Sequence, residues 1–505
     1  MAVRMKDEVS QHVEMKSSAD GSWTSSRNVH PQTSSLRRLF SFTQLLAFSL
    51  TFMGSWEVMA MNMGATFYNG GPQTLTWGIL AVIGGSLMQA LSLAELAAIQ
   101  PIAGAQYHWT DLLAPERHRR LITWMQGWVT WFAWVSALAG VTSGQANILL
   151  GLVSTHFPDT YEEKPWHITV LIVVQILVAG LINTFAFRVV PWMELCGGVL
   201  HIALWLVFVV VLLALAPKGS ADFVFFERTV ASGWENGFVV HMSEEVRKAK
   251  KAVPRSMILT TVLNGLLAYG ITLAILFSID DPEVLLKSPY PIIPLSINTA
   301  GKAGGTVMIT GLLVITFCVV AASMASVSRI TWAWARDGAL PAWFAKVDPR
   351  YHVPIRSVWL PVVLVSLISL FGVGNTATAT VFSAFTSLSS LGLYTSYIVA
   401  ISCLVHARLT GRLGEGSSYP VQYGEWRLPR RLAMPINLLA LGWTVYIAIW
   451  LPFPTTLPVT GANMNYAGPI YVLVLCAAMG YWFIWGKAKW PGLNPLPVMK
   501  VIGHD

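Results

Sequence analysis

The chain has 505 residues, 54% of them apolar and only 11% charged. A water-soluble domain carries about 25% charged residues, so this composition excludes an ordinary soluble protein. The net charge of +8 does not point to nucleic acid, because the basic residues fall in short connections between apolar runs, as on the cytosolic face of a membrane.

Residues 1–39 are polar, Ser-rich and mixed in charge, and read as a disordered cytosolic tail. A transmembrane region, 40–487, follows. Its apolar runs lie at roughly 40–67, 74–99, 121–150, 167–187, 190–216, 255–279, 304–330, 354–373, 377–404, 433–454 and 466–486. Crossing the hydrocarbon layer takes about 20 apolar residues, and backbone in lipid must satisfy its own hydrogen bonds, so each run is predicted to be a membrane-spanning helix. Residues 488–505 read as a second cytosolic tail.

Lys and Arg orient the helices. With the amino terminus inside, the early clusters at Arg37–Arg38, Arg117–Arg120 and Arg188 are all cytosolic. Eleven crossings then place the cluster from Arg247 to Arg255, and Arg336, Lys346 and Arg350, on the outer side. One further crossing between 217 and 246, within the atypical segment 217–253, puts all but five of the 33 basic residues inside. The charge pattern is therefore that of twelve spans. Residues 222–242 contain Glu227, Arg228 and Glu235. Each such charge costs about 2.5–3.5 kcal/mol at a helix centre, while a large apolar residue returns about 0.3–0.6 kcal/mol, so this segment is a poor lone span.

Four stretches occur in order: GSWEVMAMNMGATFYNGGPQTLTWG, SLAELAAIQPIAGAQYHW, HMSEEVRKAKKAVPRSM and SRITWAWARDGALP. With them the chain, from about residue 40 to 490, resembles the amino acid/choline transporter family of the amino acid–polyamine–organocation superfamily, in its fungal branch. The resemblance implies an all-α inverted-repeat bundle whose first and sixth helices are broken at the midplane, with residues 40–216 as the first repeat. It implies a proton-coupled symporter for an amino acid, γ-aminobutyrate, choline or a related amine. It also implies cytosolic termini and a plasma-membrane location, with the vacuolar membrane as the alternative. Here the sequence departs from the family: SGWENGF runs straight into VVHMSEEV, and most of the sixth helix is missing. The alternative reading is a transport-deficient pseudo-transporter or nutrient receptor.

Gly54, Ser55, Trp56 and Glu57 align with the superfamily's break in the first helix and are expected to offer backbone and carboxylate contacts to substrate. Glycine permits close approach of backbone to a ligand. An ionisable residue at membrane depth, here Glu57, usually lines a polar cavity, where it pairs with a substrate ammonium or takes up a proton. Trp131 and Trp134 lie deep in the third span, and indole faces attract cations. Ser323 and Tyr394 are on helices that face the centre in the related fold. The plain alternatives are a helix packing face for the Gly54 segment, a hydrogen bond to a neighbouring helix for Glu57, packing or interface anchoring for the two Trp residues, and helix-to-helix hydrogen bonding for Ser323 and Tyr394.

Glu95, His241, Glu244, Glu245, Arg336 and Asp337 are expected to form a cytosolic gate of ion pairs and caps. His241 and Glu245 have i,i+4 spacing, but two groups do not make a metal site. Cys196, Cys318, Cys403 and Cys476 all lie in apolar runs and read as buried, inert thiols. The sequence carries no phosphate-binding loop, dinucleotide fingerprint or nucleophile elbow, so ATP-driven transport within the chain, a cofactor and an enzymatic activity are not expected.

Overall fold

The computed structural model describes residues 41–102, 104–228, 252–280, 282, 288–370, 373, 378–413, 421–454, 456–461 and 463–493. Both expected tails, His241, Glu244, Glu245 and the shortened sixth span fall largely or wholly outside the described residues. Among those residues the secondary structure is helical, apart from one isolated bridge between Leu413 and Val421.

The chain opens with α1 (Phe42–Met53), whose first turn is closed by a capping box between Ser41 and Gln44. It stops at Gly54, which is left-handed at φ 48° and ψ 32°, a conformation that glycine adopts without steric cost. The next helix, α2 (Ser55–Ile99), breaks at Gly71 (φ 69°, ψ −164°), just before Pro72. The run read as 40–67 is thus two helical rods in series, and residues 72–99 form the second crossing. Then come α3 (Gln106–Leu113), α4 (Arg119–His156), α5 (Pro165–Phe185), α6 (Val190–Leu215) and the short α7 (Ala221–Phe226). The chain continues with α8 (Ala252–Leu276) and α9 (Ile292–Arg336), the latter broken at Gly301 so that a short arm precedes the span. The last four are α10 (Ile355–Ser369), α11 (Thr378–Leu409), α12 (Arg430–Trp450) and α13 (Ala467–Tyr481). Among the described residues nine helices are long and apolar enough to cross a membrane.

The outer surface of the bundle is greasy, as lipid requires. Val199, Leu206 and Val210 on α6, Val307 and Val314 on α9, and Leu438 and Leu439 on α12 are all exposed. Exposed indoles gather at the two ends. Trp77 and Trp166 stand where the second and fourth crossings begin, and Trp192 and Trp343 lie at the opposite end; such rings suit the headgroup layers. Cys318 and Cys403 are buried as expected, but Cys196 and Cys476 face outward from the bundle. Apolar sequence context does not distinguish a helix's lipid face from its packed face, which is why all four thiols looked alike.

At one end, the Arg120 guanidinium donates to the Trp490 carbonyl, the Trp490 indole to the Asp337 carbonyl at 2.9 Å, and Arg412 to the Ala114 carbonyl at 3.1 Å. This joins the start of α4 to the ends of α9 and the last crossing, and the end of α3 to the end of α11, and gathers the connections that hold the basic clusters. At the other end, the Gly219 N–H donates to the Phe277 carbonyl at 2.8 Å and the Ser278 hydroxyl to the Leu212 carbonyl at 3.1 Å. Nearer the middle, the Trp205 indole donates to the Leu267 carbonyl. So α6 and α8 run parallel and finish on the same side. Thr76 ties α7 to that side too, bonding the Val224 carbonyl at 2.8 Å. The extra crossing expected from the charge pattern falls between these helices, outside the described residues.

This arrangement puts Arg120 and Arg350 on one face. Cysteines introduced as Arg120→Cys and Arg350→Cys in a thiol-free background are expected to react with an impermeant maleimide from the same side of sealed vesicles. Labelling from opposite sides would contradict the crossing count.

Candidate functional site

The break at Gly54 leaves two helix ends facing each other inside the protein. Gly54 has no side chain with which to cap α2, so the first N–H groups of that helix lack an intrahelical acceptor and carry the positive end of its dipole. On the other side the last carbonyls of α1 are similarly placed. The Leu50 carbonyl accepts from Gly54 N–H and, at 3.3 Å, from the Asn264 amide of α8.

Trp56 and Glu57 are both fully buried in the first turn of α2, whereas Ser55 is half-buried. Each of the two buried side chains reaches α6. The Trp56 indole donates to Nδ1 of His201 at 3.1 Å, and Oε1 of Glu57 lies 2.5 Å from the same nitrogen. Nδ1 is therefore shared between the indole and the carboxylate, and which of the two bonds forms depends on the tautomer of the imidazole. Among the described residues the second carboxylate oxygen, Oε2, has no hydrogen-bond partner, and a Cβ placed on Gly54 would lie 3.9 Å from it. The unpartnered oxygen therefore looks into the break. Nε2 of His201 is also buried without a partner among the described residues. Leaving such an atom unsatisfied costs about 1–3 kcal/mol, so an arrangement of this kind favours a ligand that supplies the missing bonds.

Below the break, Thr51 bonds Oε2 of Glu194 at 2.7 Å. Glu194 and His201 are seven residues apart on α6, two turns along one face, and both are completely buried. Neither was singled out from sequence. A carboxylate and an imidazole with this spacing inside the apolar run 190–216 were a readable signal, since ionisable groups at membrane depth are rare.

The other expected site residues are distributed as follows. Trp134 packs its ring on Phe52, centroids 5.8 Å apart, which sets it beside the end of α1. Trp131 is directed elsewhere: its indole donates to the Thr331 hydroxyl at 2.9 Å, and its ring meets Trp128 edge-on at 5.7 Å. Trp128 in turn packs against Trp124, Trp334 and Tyr481. This is an aromatic core that joins the third, eighth and last crossings. Ser323 is buried on α9 one turn beyond Val319, the residue of that helix that approaches Gly54. Tyr394 packs with Leu391, Ile447 and Leu451, toward α12.

Two charge clusters stand at the basic end. Glu95, fully buried, accepts from the Arg408 guanidinium and, at 3.3 Å, from the Leu428 N–H. Arg408 also donates to Asn437 at 2.9 Å, which bonds Ser92 at the same distance. Asp337 takes Nε2 of His108 at 2.8 Å, the Tyr107 hydroxyl at 3.0 Å and Nε of its neighbour Arg336 at 3.1 Å. Burial pushes the Asp337 carboxyl up, but the His108 bond and the His108 and Arg336 charges outweigh it and hold the group below the usual carboxylate range. Asp111, on the same α3 as His108, is raised by burial in spite of Arg119 beside it. Gly104 admits this packing, because a Cβ there would sit 2.1 Å from the His108 ring. Among the described residues no group of three His, Cys, Asp or Glu is arranged to hold a metal ion.

Comparison with known proteins agrees with this architecture. The family model described as amino acid permease matches residues 40–475. The chain is 27% identical over 488 residues to a choline transporter of Saccharomyces cerevisiae, covering 91% of this chain and 83% of that one. It is 26% identical to amino-acid permease 2 of Neurospora crassa, covering 90% and 86%. It is 27% identical to an amino-acid permease of Arabidopsis thaliana, covering 86% and 89%. With a match that spans most of its length and a bundle of apolar helices around a broken first crossing, the chain is a multi-pass membrane transporter and belongs to the amino acid permease family.

Proposed function

We propose that the chain is a proton-coupled symporter of a small amino acid or amine in the plasma membrane, and that the substrate binds at the Gly54 break. The observation that carries this reading is the unpartnered Oε2 of Glu57, buried and facing the break. A substrate ammonium gives that oxygen a charge-assisted bond. A substrate carboxylate meets the N–H groups at the start of α2, where the helix dipole favours negative charge. A quaternary amine finds instead the carboxylate and the nearby face of Trp134.

The test is uptake by proteoliposomes. Radiolabelled choline, γ-aminobutyrate and a mixture of amino acids are supplied separately under an inward acid gradient. At least one of the three is expected to accumulate above its outside concentration, and an uncoupler is expected to abolish the accumulation. Failure of all three to accumulate would reject the reading.

A further inference from the structure

His156 occupies the last turn of α4, at the end of the bundle opposite the basic connections, where a cation meets the negative end of the helix dipole. Its Nδ1 lies 3.0 Å from the Leu152 carbonyl, and its Nε2 lies 2.8 Å from Oγ1 of Thr306 on α9. A carbonyl only accepts, so Nδ1 carries a proton. Thr306 has one hydroxyl proton, which it donates to the Lys302 carbonyl at 2.6 Å. With that proton engaged, Thr306 meets Nε2 as an acceptor, and a bond between them needs a second proton on the ring. The series Leu152, His156, Thr306, Lys302 is therefore complete only for the imidazolium. A neutral ring forfeits one link. With its proton on Nδ1 it takes the Thr306 proton away from Lys302, and with its proton on Nε2 it faces the Leu152 carbonyl bare.

The links fall at a hinge. α9 breaks at Gly301 (φ 73°), so Lys302 is the first residue beyond the break and Thr306 is one turn further. The arm before the break, 292–300, folds back on the start of the span, where a Cβ on Gly305 would lie 2.7 Å from Cα of Ile297. A Cβ on Gly151 of α4 would lie 2.8 Å from the Tyr290 ring and 3.0 Å from Ile293. Both sides of the hinge thus rest on the last two turns of α4. Asp159, Glu162, Glu163 and Lys164 follow His156 in the connection to α5, and α5 itself brings His167. α9 brings Lys302, which is exposed, and the arm begins beside Tyr290. Among the described residues none of these side chains forms an ion pair or hydrogen bond with His156. The His167 ring bonds the Tyr161 hydroxyl at 2.7 Å. Burial raises the Glu163 carboxyl in spite of the His167 charge.

We infer that His156 and Thr306 form a pH-sensitive latch on the hinge of α9. With His156 protonated, Thr306 bonds both the imidazole and the Lys302 carbonyl, and the hinge is fastened to α4. Histidine changes charge between about pH 5 and 8. As the pH on that side of the membrane rises through this range, the latch loses a link and the arm loosens. The latch belongs to the arm and does not depend on which substrate is carried.

Hydrogen–deuterium exchange of the purified protein in nanodiscs tests this, with labelling times scaled for the intrinsic pH dependence of amide exchange. Peptides covering 292–306 are expected to exchange about threefold or more slowly at about pH 5.5 than at about pH 8. His156→Gln keeps a donor and an acceptor but does not titrate, and is expected to abolish the difference. Thr306→Val is expected to exchange fast at both pH values. His167→Gln, in the neighbouring pair, is expected to keep the difference. No pH difference in the wild type, or one that survives both His156→Gln and Thr306→Val, overturns the latch. A difference lost in His167→Gln and kept in His156→Gln overturns it too. Should His156→Gln not fold, a difference that survives Thr306→Val is enough to overturn it.

Discussion

Replacing Glu57 by Gln is expected to raise the KM for an ammonium-bearing substrate by about ten- to a hundredfold. The carboxylate is fully buried, one oxygen is engaged by His201, and the other faces the break without a partner. A charged hydrogen bond contributes about 1.5–3 kcal/mol, and each 1.4 kcal/mol is a factor of ten in affinity. Gln keeps the size and one acceptor, so the fold is expected to survive, as a monodisperse peak in size-exclusion chromatography would verify. His201→Gln, which removes the imidazole that holds Glu57 in place, is expected to have a smaller effect of the same sign. Uptake by Glu57→Gln with unchanged KM would remove Glu57 from the substrate site.

The second large effect concerns the basic end of the bundle. Arg408→Ala leaves Glu95 buried without its guanidinium, and removing one partner of a buried pair costs about 3–5 kcal/mol. Arg408 also holds Asn437 and, through it, Ser92 of the second crossing, so the loss is expected to loosen α11 and α12 from α2. Thermal denaturation in detergent should show a clear fall in Tm for Arg408→Ala. A smaller fall is expected for Glu95→Gln, because the Gln amide oxygen can still accept from the guanidinium and Arg408 keeps its bond to Asn437. Combining the two should recover part of the loss, because the charge left unpaired by the first change is removed by the second. A double variant no better than Arg408→Ala would show that the pair contributes through packing alone.

The spans were legible because hydrophobic runs of membrane length admit few other structures. Basic residues marked one end, where Arg120 and Arg412 tie the connections together. The interruption at Gly54 came from the resemblance rather than from hydropathy, which reads straight through one glycine. What sequence did not disclose was pairing. Glu57 was conspicuous, but His201 lies 144 positions away and Arg408 lies 313 from Glu95. Nothing local ties such residues together. Trp131 and Trp134 show the same limit, since they are neighbours on one helix, yet one packs beside the end of α1 and the other enters an aromatic core.

The α6 helix lies along the first crossing like a splint. One fastening is below the break, Thr51 to Glu194, and the other is above it, where Trp56 and Glu57 meet His201. A single left-handed glycine is a loose hinge, but a hinge braced on both sides bends only when a brace lets go. Both fastenings are buried, and each joins a side chain of the first crossing to an ionisable residue of α6. Any tilt of either half of the first crossing must therefore carry α6 with it or break one of these contacts.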